Sequence, residues 1–102
     1  MSRGEIHWLE VEEAGRRPVL VLTADPLAPV LRRVLVAGLT TTIRGVDTEV
    51  AVGPDDGVPH DSAVNLLDVR PVPAALLVER LTILSPARMR AVCDALAFAT
   101  GC

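Results

Sequence analysis

The sequence predicts a mainly β domain: a small, strongly bent antiparallel barrel with one C-terminal α-helix packed on it. Three observations carry this reading. Five to seven short runs, apolar or alternating, are separated by turn residues as far as Leu84, the pattern of a small all-β domain. The hydrophobic period then changes from two to 3.6 at Ser85. The chain is 102 residues long, the size of a single domain, and holds no internal repeat, linker or low-complexity stretch. Residues 1–102 are therefore read as one domain.

Each element has its own justification. EIHWLEV (Glu5–Val11) alternates, with Ile6 and Trp8 on one face and His7, Leu9 and Val11 on the other. PVLVLT (Pro18–Thr23) is apolar on both faces, and Pro18 suits its first position, where no ladder donor is needed. That proline also biases Arg17 toward an extended conformation. TADPLAPVLRR (Thr23–Arg33) contains two prolines and reads as a loop with one helical turn. VLVAGLTTTIRG (Val34–Gly45) opens as a buried strand and ends in hydroxyls and an arginine. TEVAV (Thr48–Val52) alternates, and GPDDGVPHDS (Gly53–Ser62) is dense in turn formers. AVNLLDVRPV (Ala63–Val72) and LVERLTIL (Leu77–Leu84) complete the strands.

SPARMRAVCDALAFATG (Ser85–Gly101) is the one long helix. Met89, Val92, Cys93 and Leu96 form its apolar face. Ser85 is the expected N-cap, Pro86 the first helical residue and Gly101 the C-terminal cap. Cys93 is expected to be a core residue.

Composition excludes several function classes. The formal charge is −3, so the chain is no generic basic nucleic-acid binder. All ten basic residues are arginine, the better side chain for bidentate phosphate contacts. Half of the residues are hydrophobic but only Trp8 and Phe98 are aromatic, so the core must be built of Val, Leu, Ile and Ala. So apolar a short chain is expected to bury part of its surface in a dimer. Cys93 and Cys102 are too few for a disulfide framework or a zinc site. No apolar run is long enough to span a membrane, and the expected location is the cytoplasm.

The common catalytic signatures are missing: no Ser–His–Asp or Cys–His context, no phosphate-binding glycine loop, no HExxH. His7 lies mid-strand and reads as structural; His60 lies in a turn and reads as exposed. A reaction without metal, cofactor or obligatory histidine is expected. Arginine remains. Arg16, Arg17, Arg32, Arg33 and Arg44 fall at strand ends or in loops, and Arg44 follows Thr40, Thr41 and Thr42 closely. Guanidinium forks match phosphate oxygens and hydroxyls add neutral hydrogen bonds, a combination suited to reading a phosphodiester.

Five blocks then carry a resemblance. RGEIHWLEV (Arg3–Val11), GRRPVLVLT (Gly15–Thr23), VLVAGLTTTIRGVDTEV (Val34–Val50), HDSAVNLLDVRPV (His60–Val72) and LSPARMRAVCDAL (Leu84–Leu96) resemble, in order, the conserved segments of the MazF/PemK family of toxin endoribonucleases. The resemblance implies a small SH3-like barrel of the CcdB/MazF type, forming a homodimer with a cognate MazE-like antitoxin as partner. It implies metal-independent cleavage of single-stranded RNA within short motifs, leaving a 2′,3′-cyclic phosphate and a 5′-hydroxyl. Messenger RNA is the expected substrate, with transfer and ribosomal RNA as further candidates. The family's catalytic arginine falls on Arg17 and its catalytic threonine on Thr40. Arg16, Thr41, Arg44, Ser62, Asn65 and Asp68 are the candidate RNA-binding residues.

Two departures stand out. The first hairpin is short, with only EEAG (Glu12–Gly15) where relatives carry a longer RNA-contacting loop. Glu12 and Glu13 are candidates for its role. Asp68 stands where the family often has glutamine; a carboxylate there would accept from cytosine or guanine edges and repel phosphate. Two other readings follow from the same fold: a non-catalytic, CcdB-like binding toxin, and a homologue that only sequesters an antitoxin. Retention of both Arg17 and Thr40 argues against the first of these.

Overall fold

The first hairpin joins β1 (Glu5–Val11) to β2 (Gly15–Val21) through a turn of only three residues, closed by the pair Val11 and Gly15. In the computed structural model, which describes Met1–Cys102, four further strands follow. They are β3 (Arg33–Thr40), β4 (Glu49–Val52), β5 (Ser62–Pro73) and β6 (Leu77–Ile83), and the chain ends in α1 (Pro86–Thr100). One antiparallel sheet takes all six strands in the order β4-β5-β3-β2-β1-β6. The expected bent barrel is thus a curled half-barrel, with β4 and β6 as its edges and β2 and β3 at its centre.

Strand alternation divides the apolar residues between two cores. Ile6, Leu20, Ala37, Leu39, Val50, Val52, Val64 and Leu66 point to the face covered by α1 and meet Met89, Val92 and Ala95. Leu9, Val19, Val21, Val34 and Val36 point to the opposite face, where the curl of the sheet brings in Val72 and Leu77. Branched aliphatics supply both cores, as the scarcity of aromatic residues requires. Trp8 is only half-buried, beside Pro18 of β2.

The helix begins and ends as its sequence dictates. The Ser85 side chain accepts from the Arg88 amide at 3.2 Å, Pro86 takes the first position, and Gly101 closes the helix in the left-handed conformation at φ 76°. The Thr23–Arg32 segment holds the helical turn expected in the loop, with the Ala28 and Leu31 amides bonded to the Ala24 and Leu27 carbonyls.

Two expectations are corrected, the start of β2 and the place of Cys93. Strand β2 begins at Gly15 rather than Pro18, because Arg16 and Arg17 pair with Glu10 and Leu9 of β1 across the tight hairpin. Strand β3 ends at Thr40, in agreement with the expectation that this threonine closes the third strand, and Thr41–Gly45 form a loop. Cys93 is exposed rather than in the core. The inner stripe of α1 runs through Met89, Val92 and Ala95, and Cys93 lies one step round the helix, where the Arg3 guanidinium donates to Sγ at 2.9 Å.

Candidate active site

The register of the two central strands defines the site. Val19 pairs with Gly38, and the β2–β3 ladder stops there, one residue short of Pro18, which has no amide hydrogen to donate. Beyond that point the strands part. A cleft of about 310 Å³ opens between them, lined by Ala14, Arg16, Arg17, Pro18, Leu39, Thr40, Thr41, Thr42 and Ser62. Continuing the register two residues past Val19 and Gly38 sets Arg17 opposite Thr40, on the same face of the sheet. The family resemblance implies these two as the reactive pair, from opposite ends of a 24-residue stretch; the fold sets them across one cleft.

The two adjacent arginines differ in their partners. Arg16 faces Glu10 across the hairpin, and its guanidinium bonds Glu10 at 3.3 Å and Glu79 of β6 at 3.2 Å. Arg17 points to the other face, where its cross-strand partner is Leu9. No carboxylate pairs with it. Alternation along one strand therefore leaves one charge neutralised and one available to a ligand.

Thr40 is oriented by the turn that follows it. Its Oγ1 accepts a hydrogen bond from the Thr42 amide at 3.1 Å, which leaves the hydroxyl hydrogen free to donate. Thr42 was noted only as one of three hydroxyls before Arg44 and was not among the candidate site residues; its place in the run Thr40-Thr41-Thr42 was its signal. The cleft thus offers a fixed cation and a preset neutral donor, with Thr41 exposed on its rim.

The remaining candidates are placed as follows. Ser62 lines the cleft but is 4% exposed, and its hydroxyl donates to the His60 carbonyl at 2.9 Å. Asn65 is half-buried beside Gly38 and accepts from the Leu67 amide. Asp68 pairs with Arg70 at 3.4 Å. Arg44 lies outside the cleft wall in a loop held by Glu49, whose carboxylate accepts from the Arg44 and Gly45 amides at 2.9 and 3.1 Å, and its guanidinium has no partner. Glu12 and Glu13 are exposed at the hairpin tip, away from the cleft lining, and Glu13 holds a left-handed φ of 69°. His60 is exposed, and His7 is buried with Nε2 bound to Glu5 at 2.7 Å and Nδ1 unpartnered. No three His, Cys, Asp or Glu side chains gather closely enough to hold a metal ion.

Comparison with known proteins places this geometry in a family. The model of the PemK-like, MazF-like toxins of type II toxin–antitoxin systems matches residues 2–99. A relative named probable endoribonuclease MazF5 of Mycobacterium tuberculosis is 53% identical over 99% of this chain and 94% of its own length. Probable endoribonuclease MazF2 of the same organism is 41% identical over the whole of both chains. Among solved structures, the M. tuberculosis toxin MazF-mt6 superposes with a TM-score of 0.87 at 32% identity, covering 95% of this chain and 96% of its own. A mycobacterial endoribonuclease in complex with its cognate antitoxin superposes at 0.89 with 29% identity, covering 99% and 95%. The chain belongs to the PemK-like, MazF-like family of toxins of type II toxin–antitoxin systems.

Proposed function

We propose that this toxin is a metal-independent endoribonuclease that cuts single-stranded RNA with the RNA's own 2′-hydroxyl as nucleophile. The observation that carries the reading is the pairing across one cleft of an arginine without a carboxylate partner and a threonine whose hydroxyl hydrogen is free. Attack by O2′ on the adjacent phosphorus forms the O2′–P bond and breaks the P–O5′ bond, with one proton lost from O2′ and one gained by O5′. The products are a 2′,3′-cyclic phosphate and a 5′-hydroxyl. Negative charge builds on the non-bridging oxygens as attack proceeds. The Arg17 guanidinium and the Thr40 hydroxyl stabilise that charge more in the transition state than in the ground state. Arginine keeps its proton at neutral pH, so Arg17 acts as a fixed charge rather than a proton shuttle. The need for a 2′-hydroxyl makes DNA inert.

The same reading supplies partners. Exposed Leu27, Val30, Leu67 and Phe98 support burial of apolar surface in a homodimer. A cognate antitoxin with an acidic segment fits the unpaired charge of Arg17 and Arg44 and would shut the cleft. No helix is long and apolar enough to cross a membrane, and the cytoplasm, where RNA is translated, is the proposed location.

The test is incubation of purified protein with a long natural transcript in excess EDTA, with end-chemistry mapping of the fragments. Fragments ending in 2′,3′-cyclic phosphate are expected. An intact transcript would reject the reading and favour a toxin that acts by binding alone. Light scattering on the same sample measures the dimer.

A further inference from the structure

Strand β5 does not keep one register along β3. Ala37 pairs with Val69, but the next residue, Gly38, pairs with Asn65, so Leu66, Leu67 and Asp68 are inserted as a bulge. The bulge is pinned where the Leu67 amide donates to Asn65 Oδ1 at 3.0 Å. Leu66 turns into the core and Leu67 outward. Asp68 is then laid across β3, with its carboxylate over Gly38. Any side chain at position 38 would overlap that carboxylate. Gly38 has no positive φ, so the glycine is there for space and not for backbone freedom. Bulges of this kind re-aim side chains beside active sites.

The same register fixes where the carboxylate has been sent. Gly38 precedes Thr40 by two residues on one face and pairs with Val19, two residues after Arg17. Positions two apart on a strand are about 6–7 Å apart, and diagonal cross-strand neighbours about 7–8 Å. Asp68 therefore stands beside the cleft and not inside it. A carboxylate next to a phosphate site opposes a polyanionic substrate unless that substrate brings it a donor. Arg70 Nε, at 3.4 Å from Oδ1, meets only one of the oxygens.

A base edge supplies such a donor. An ionised carboxylate only accepts hydrogen bonds. Guanine presents N1–H and its amino group side by side; cytosine and adenine present one amino group each. Uracil presents N3–H between two carbonyl oxygens, which a carboxylate repels. We infer that Asp68 is a base-selecting residue. It accepts from the Watson–Crick edge of a nucleotide flanking the cleaved phosphate, favouring guanine and rejecting uracil at that position. The inference rests on the endoribonuclease reading above and adds the chemistry of its selectivity.

The experiment is single-turnover cleavage of an oligonucleotide set carrying each of the four bases at each position flanking the scissile phosphate. Wild type is expected to prefer guanine over uracil at one position by about 5- to 150-fold, the range of one good bidentate contact. Asp68→Asn keeps the shape but adds a donor amide, and is expected to abolish the preference at that position alone. Gly38→Ala displaces the carboxylate without altering its chemistry. It should blunt the same preference, and it decides the matter by itself should Asp68→Asn fail to fold. Circular dichroism checks both variants. The inference is overturned if either folded variant keeps the wild-type ranking at every position. It is also overturned if Asp68→Asn slows all substrates equally, which would place the carboxylate in the chemistry. A wild type that cuts none of the oligonucleotides, or of the natural transcript, removes the endoribonuclease reading and this inference with it. Failure of the inference alone leaves cleavage with unchanged preference.

Discussion

Arg17 faces Leu9 across the β1–β2 hairpin, and this apolar partner leaves its guanidinium without a carboxylate, while Arg16 next to it is held by Glu10 and Glu79. The contrast yields a paired prediction. Arg17→Ala should lower single-turnover cleavage by about 100- to 1,000-fold, the usual cost of one preorganised donor. Arg16→Ala should lower it far less, since that charge is already shared between two glutamates. Both should retain the wild-type circular dichroism spectrum, and equal losses in the two variants would count against the assignment.

Thr40→Val removes only the hydroxyl and keeps the branched shape suited to a strand. Cleavage should fall by about 100-fold or more, with binding of a non-cleavable 2′-deoxy analogue little changed. Thr40→Ser should recover most of the rate, because serine can accept from the Thr42 amide and still donate. A valine variant as fast as wild type would exclude a role for the hydroxyl.

Arg44 is aimed outward by a loop whose amides are bound to Glu49. Its removal should act on association and not on chemistry. Arg44→Ala is expected to weaken RNA binding and to reduce the slope of log K against log salt by about 0.7, the signature of one lost phosphate contact on a single strand. The single-turnover rate at saturating RNA should stay near wild type.

Stability depends on features far from the cleft. Leu20 is fully buried beneath the helix, and Leu20→Ala should cost about 2–5 kcal/mol in urea unfolding. Ser85→Ala removes the acceptor for the Arg88 amide and should cost about 1 kcal/mol. Neither residue lines the cleft, so cleavage by the folded fraction should be unchanged.

The elements were legible where local chemistry decides them. Glu5–Val11 and the capped helix at Ser85 could be read to within a residue, because alternation, a serine cap and a terminal glycine are local signals. The start of β2 was not, because the arginines join the sheet only through pairing with β1, a relation between distant residues. The bulge was invisible for a sharper reason. Asn65-Leu66-Leu67-Asp68 carries no glycine or proline to mark it, and an apolar pair reads as unbroken strand. Arg17 and Thr40 were found through resemblance and their neighbours. Their different surroundings, Leu9 for one and the Thr42 amide for the other, required the register and the turn. Cys93 failed because a helical period locates an apolar stripe only to within about one residue.

Arg17 and Thr40 ride on β2 and β3, the two central strands of six, each paired to an outer neighbour and standing two residues beyond the last pair of the ladder that joins the two strands. Strands in that position ordinarily open only when the whole domain unfolds, while edges and termini fray far more often. The cleft is therefore tied to the most slowly exchanging part of the molecule. Loosening β4, β6 or the end of the helix would not disarm it, so control of such a toxin falls to whatever fills the cleft or to destruction of the folded chain.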